Sequence, residues 1–268
     1  MTRRPKPNPR LRWTDGDERL TRFVCQQWCA DFATVQLLRG TGRRRTYELI
    51  DRWRNGFGVL RSVSIRPDNI EHDITVVWPW PTAAAQRLGH PVSGWNPTGT
   101  NISHKLAVSR VRAALCGLDE TLWVPERELL RQAAIAAGQR PGGLMVVDRG
   151  GLLSRPAAGL ARAHVHDGRY LYRGKWLAVE VELTLKRPSR KRLAATVFNA
   201  YQRAAAIDAG LLYVYGTEII GRALERAVED LIVAGRLPEH PDIRLRPLND
   251  VIAHRSIELP TTRAERTA

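Results

Sequence analysis

Cysteine is scarce in this sequence: Cys25, Cys29 and Cys116 are the only three among 268 residues. An odd number without framework spacing excludes a disulfide scaffold and points to a reducing, cytoplasmic compartment. Cys25 and Cys29 are four apart on an expected helix. No partner ligands at comparable spacing lie nearby, so both are read as small buried apolar residues rather than a zinc site. Long apolar runs are missing too, and nothing is long enough to span a bilayer. No basic amphipathic helix is joined to a lipidation signal, so no membrane partner is expected. Arg3-Arg4 is a twin arginine with no apolar segment behind it, which argues against an export signal. This arm is rich in Pro and charge, so residues 1–13 are expected to form a disordered basic tail. Acidic residues are in short supply: 27 Asp and Glu stand against 42 Lys and Arg, a net charge of +15. That imbalance favours a polyanion, and double-stranded DNA is the expected partner. The apolar share of 43% still allows a real core. The length suits two domains.

Thr14 reads as an N-cap, with Asp17 completing a near capping box. The helix continues through Leu20, Phe23, Val24 and Trp28. Phe32 to Leu38 is a short second helix, and Gly40-Thr41-Gly42 a turn. Arg43 to Trp53 is a third helix, with Tyr47, Leu49, Ile50 and Trp53 expected inward. Arg43, Arg44, Arg45 and Arg52 are expected to stay solvated. Val59 to Ile65 alternates like a strand, Arg66-Pro67-Asp68-Asn69 is a turn, and Asp73 to Trp78 returns. Three helices followed by a hairpin make a winged helix-turn-helix pattern, which places the Arg-rich third helix in the major groove. Arg43, Arg44, Arg45, Thr46 and Arg52 are the expected DNA contacts. A solvated face is the plainer reading of the same arginines. Pro79 to Gly99 is expected to be a linker, with a domain boundary near 98. Trp78, Trp80 and Trp95 seal a junction there or offer a stacking platform for bases.

The second half opens with a helix from Ser103 to Leu115, with His104 at its start in a capping or packing position. Leu122 to Val124 is a short strand, and Pro125 to Ala137 a helix. Gly138 to Gly159 is expected to be flexible. His166 to Lys186 holds two adjacent strands joined around Arg173-Gly174-Lys175. Ser189 caps a long helix. Leu211 to Tyr215 is a buried strand, Thr217 caps another helix, and Ile243 to Leu248 is an edge strand. A buried strand after a crossover helix implies parallel pairing and a mixed sheet. The overall class is α/β, or α+β taken over the whole chain. No internal repeat is apparent.

Glu180 and Glu182 are two apart in an apolar strand, so both project from one face. With Asp167 on the neighbouring strand they form a like-charge cluster, which calls for a metal ion or basic partners. The alternative is an outer sheet face where Glu180 and Glu182 pair with Lys175, Lys186 and Arg187. His164 and His166, also two apart, are candidate transition-metal ligands or ordinary surface residues.

Several short motifs carry a resemblance. They are His104-Lys105-Leu106-Ala107-Val108, Trp123-Val124-Pro125-Glu126-Arg127, His166-Asp167-Gly168, Val179-Glu180-Val181-Glu182-Leu183-Thr184 with Lys186, and Tyr201. With the N-terminal helices they resemble the replication-relaxation family of bacterial plasmids and mobile elements, over roughly residues 14 to 235. The resemblance implies a DNA-binding role in replication, mobilisation or its regulation.

The second half also resembles the core of PD-(D/E)XK nucleases. That likeness implies a restriction-endonuclease-like αβ domain over residues 99–268, behind a winged helix over 14–98. It implies Asp167, Glu180, Glu182 and Lys186 as catalytic residues. Asp167 and Glu180, with Glu126 as an extra ligand, would hold Mg²⁺ or Mn²⁺. Glu182 stands where that fold usually has Lys, and His166 where it usually has Pro. Such a metal would activate a water and stabilise the departing oxyanion. Two functions follow as expectations: a DNA-binding protein of a mobile element, or a Mg²⁺-dependent DNA endonuclease targeted by its winged helix. A homodimer is compatible with either.

Overall fold

The computed structural model describes residues 12–67, 71–136, 165–185 and 190–258. The expected basic tail up to residue 11, the segment 138–159 expected to be flexible, His164, Lys186, Arg187 and the expected cap Ser189 lie outside these. So do Asp68 and Asn69 of the expected turn. The fold is mixed α/β, with a three-stranded and a five-stranded sheet among the described residues. The chain divides into two compact units. One takes the described residues up to Ser109 and from Pro125 to Val165. The other takes Arg110 to Val124 and those from His166 onward. The boundary expected near 98 therefore falls inside the first unit.

The first unit begins with α1 (Asp15–Gln26), where Thr14 and Asp17 form a full capping box. A two-residue strand, β1 (Ala30–Asp31), leads into α2 (Phe32–Arg39), capped by the Asp31 side chain on the Thr34 amide. Gly40 then turns the chain at φ 63°, a left-handed conformation that suits glycine at a helix C-terminus. After Thr41 and Gly42 comes α3 (Arg43–Asp51), which runs into one π-helical turn over Arg52–Gly56. β2 (Leu60–Ile65) and β3 (Ile74–Pro79) pair antiparallel, and β1 joins the far side of β3.

The next segment corrects the expectation of a linker. Pro81–Leu88 is a helix, α4, that packs on α1. Its signals are local: Pro81 opens it, and Gly89 closes it at φ 74°. Arg87 fastens it, donating to Thr21 Oγ1 at 3.1 Å and lying over the Trp13 ring. The three tryptophans near it belong to the unit's own packing. Trp78 is buried in a cluster with Cys29, Val76, Ile102 and Leu106, against which Trp95 packs. The Arg61 guanidinium lies over both the Trp78 and Trp80 rings.

The helix α5 (Gly99–Cys116) begins four residues before the expected start, so His104 lies within it. β4 (Trp123–Pro125) and α6 (Glu126–Ala136) follow, close to expectation.

In the second unit the sheet order is β4-β5-β6-β7-β8. β5 (Gly168–Tyr172) and β6 (Lys175–Glu182) form an antiparallel hairpin. Its turn places Arg173 at φ 50° and Gly174 at φ 80°, the twist a tight two-residue hairpin needs. The helix α7 (Arg190–Ala205) then crosses over, so β7 (Gly210–Tyr215) pairs parallel to β6. A second crossover, α8 (Glu218–Val233), brings β8 (Ile243–Pro247) parallel to β7. A short helix, α9 (Leu248–His254), follows. Every residue of β7 is buried, as a strand flanked on both sides of a parallel sheet must be. Ala178, Leu211, Tyr213 and Tyr215 pack with Val197, Ala200, Leu224 and Leu231 of α7 and α8.

Candidate functional sites

The first candidate is the exposed face of α3. Leu49 and Ile50 bury the inner face, and Trp53 continues it beyond the helix. Tyr47, expected inward, is 44% exposed instead. Its ring packs against Phe32 at 4.4 Å, and Arg43 lies over it. The side chains of Arg44 and Arg45 are 95% and 59% exposed. Both reach Glu48: Arg44 Nε at 3.2 Å and Arg45 Nη1 at 3.0 Å. The hydrogen bond from Arg45, then that from Arg44, holds the Glu48 carboxyl below the ordinary glutamate range. Three cations occupy the first turn of α3 with no acid among them. That is the positive end of the helix dipole, where cations are unfavourable. Helix stability therefore does not account for them.

Two expected DNA contacts have other work. Thr46 is fully buried, and its hydroxyl donates to the Gly42 carbonyl at 3.1 Å. It has no surface for a base. Arg52 turns inward and pairs with the buried Asp17, which also accepts the Trp53 indole N–H at 2.8 Å. Burial pushes Asp17 upward, but hydrogen bonds from Thr14, Trp53 and Arg52 outweigh it and hold the carboxyl below its ordinary value. Thr46 and Arg52 are therefore parts of the scaffold behind Arg43, Arg44 and Arg45.

Glu126, an expected metal ligand, belongs to the first unit. Its Oε2 accepts the Trp28 indole N–H at 2.8 Å and pairs with Lys105. Lys105 and Arg127 both lie over the Trp28 ring, Arg127 at 4.0 Å. Two of the short motifs, around Lys105 and around Glu126-Arg127, thus meet on one tryptophan. Burial draws the Arg127 guanidinium down to about 10 and pushes the Cys25 thiol up to about 12. Cys25 is accordingly a buried, unreactive thiol.

The second candidate is the acid group of the second unit. Glu180 and Glu182 alternate with the buried Val179 and Val181 along β6 and share the face of Ala178. The register sets Glu180 beside Tyr213 and Glu182 beside Tyr215. Asp167 sits just before β5, where its own amide donates to the Val179 carbonyl at 3.0 Å. Its Oδ2 accepts the Val181 amide at 2.9 Å, so the side chain extends the ladder where the β5 backbone has ended. His166 Nδ1 and Glu180 Oε1 share a hydrogen bond of 2.6 Å, and His166 is buried. The Thr184 amide donates to Glu182 at 3.4 Å.

Tyr213 is the residue that sequence reasoning missed. Burial, then the charges of Glu180, Glu182 and Asp167, pushes its phenol well above the ordinary value. All three acids thus act on one phenol. The available signal was the parallel register, which a single strand's pattern does not contain. Among the described residues, however, no group of three or more His, Cys, Asp or Glu side chains is placed to hold a metal ion. Asp167 is turned onto an amide, Glu180 onto His166, and Glu126 is engaged in the first unit. No helix among the described residues is long and apolar enough to cross a membrane.

No protein-family model matches the chain, and no curated protein or solved structure is significantly similar to it.

Proposed function

We propose that the chain is a DNA-binding protein whose first unit is a winged helix-turn-helix that reads double-stranded DNA with α3. The observation that carries this reading is the exposed run Arg43, Arg44 and Arg45 in the first turn of α3. It stands directly after the three-residue turn Gly40-Thr41-Gly42, with Leu49 and Ile50 buried behind it. Helix, tight turn and helix with the second N-terminus exposed is the geometry that docks in a major groove. The element order α1-β1-α2-α3-β2-β3, with β1 and β2 flanking β3, supports the winged form. A net charge of +15 supports a phosphate partner. The short motifs that resemble the replication-relaxation family support a setting on a plasmid or integrative mobile element, in replication, mobilisation or its regulation.

The second unit enters this proposal as a scaffold. In it the Val181 amide engages Asp167 and His166 engages Glu180.

The test is fluorescence anisotropy of the full chain on a labelled random-sequence duplex over a range of salt. Replacing Arg43, Arg44 and Arg45 together with Ala should weaken binding. The slope of log affinity against log salt should fall by about two to three, since each phosphate contact contributes about 0.9. An unchanged slope removes α3 from the interface.

A further inference from the structure

The exposed face of α3 carries a carboxylate among its guanidiniums, and its role deepens the DNA-binding reading on which it rests. Glu48 Oε1 accepts from Arg44 at 3.2 Å, and Oε2 accepts from Arg45 at 3.0 Å. The spacings of four and three residues put these side chains on one helix face. All of them are exposed. The other exposed acid of α3, Asp51, accepts from Asn55 at 2.5 Å, one turn further from the arginine run.

Exposed pairs of this kind add little to stability and exchange partners readily. Their cost appears on docking. A carboxylate facing a duplex is repelled by every phosphate alike, so it lowers affinity on any sequence. The loss is recovered only where a base offers an amino donor in the major groove. Asp and Glu accept there from the N4 amino group of cytosine.

We propose that Glu48 is the specificity-determining residue of α3: it penalises duplex DNA in general and accepts the N4 amino group of one cytosine. Arg44 and Arg45 exchange the carboxylate for flanking phosphates as the helix docks. The base contact then replaces the two arginines as the partner of Glu48, and the arginines supply the electrostatic attraction.

The experiment incubates the full chain with a pool of duplexes carrying a randomised core and sequences the bound fraction. Anisotropy on the unselected pool measures general affinity and salt slope. Wild type, Glu48→Gln, Glu48→Ala and the triple Arg43/Arg44/Arg45→Ala variant are compared. Wild type should prefer cytosine at one position by about tenfold or more. Glu48→Ala should lose that preference, Glu48→Gln, which keeps an acceptor oxygen, should weaken it, and both should bind the unselected pool more tightly. Their salt slope should steepen by about one, because one acid no longer offsets the cations held at the phosphates. If the triple variant loses binding while the Glu48 variants keep wild-type base preference and slope, Glu48 is a solvated side chain. The proposal is then overturned and the DNA-binding reading stands. A wild type without any cytosine preference overturns it in the same way. If the triple variant binds as wild type does, α3 is not the interface, and both readings are overturned.

Discussion

Asp17 and Trp53 stand 36 positions apart, and the Trp53 indole N–H donates to Asp17 Oδ1 at 2.8 Å. The same carboxylate caps α1 through Thr14 and pairs with Arg52. One buried acid thus ties the start of α1 to the turn that ends α3, and so sets where the arginine face points. Asp17→Ala leaves the Arg52 charge and the Trp53 donor without this partner. It should destabilise the protein by about 3–5 kcal/mol, read from the denaturant midpoint. A loss below about 1 kcal/mol would show that water replaces the carboxylate freely.

The same residue sets an acid limit. The folded carboxyl lies below its ordinary value, so its contribution is fully present above the unfolded aspartate value, about 3.9. It is lost as pH falls through the lower folded value. Stability should therefore fall below about pH 4, and Asp17→Asn should flatten that dependence. Parallel pH profiles of the two proteins would exclude Asp17 as a source of the acid sensitivity.

Arg52 separates the scaffold from the proposed interface. Its side chain is 20% exposed against 95% for Arg44. Arg52→Ala should cost about 1–3 kcal/mol of stability and leave the salt slope of DNA binding unchanged. Arg44→Ala should do the reverse, with little change in melting temperature and a shallower slope. A shallower slope for Arg52→Ala would return this residue to the DNA surface.

Asp167 has a backbone partner, which makes its substitutions unequal. Asp167→Ala removes the acceptor of the buried Val181 amide and should cost about 1–3 kcal/mol. Asp167→Asn keeps an acceptor oxygen and should cost clearly less. Amide exchange at Val181 should accelerate in the Ala variant only. Equal losses in the two variants would show that the charge of Asp167, rather than this hydrogen bond, is what the fold uses.

Gly168 shows how closely β5 meets β4. A Cβ there would stand 2.4 Å from Cζ2 and 2.7 Å from Cε2 of the buried Trp123. Gly168→Ala should therefore cost about 1–3 kcal/mol through overpacking and shift the Trp123 fluorescence. Wild-type stability in this variant would mean that the indole has room to move aside.

What the sequence determined by itself was local. The Thr14-Asp17 box, the Gly40 turn, the helices on either side of it and the β2–β3 hairpin rest on signals within a few residues of each other. The buried run Leu211 to Tyr215 and its parallel pairing were legible because a strand after a crossover helix has few other places to go. The signals for α4 were present in Pro81 and Gly89, but a segment rich in Pro and Gly reads first as a linker. Only the tertiary structure decided which partner each polar side chain takes. Arg44 and Arg52 are the same residue type in one helical stretch, yet one faces solvent and the other the Asp17 carboxylate. Glu126 and Glu180 look alike as acids in the sequence, and the structure sets one beside Trp28 and the other beside His166. Periodicity names a face of a helix or strand, whereas a buried charge is satisfied by groups brought from distant parts of the chain. Those contacts exist only once the backbone has closed around them.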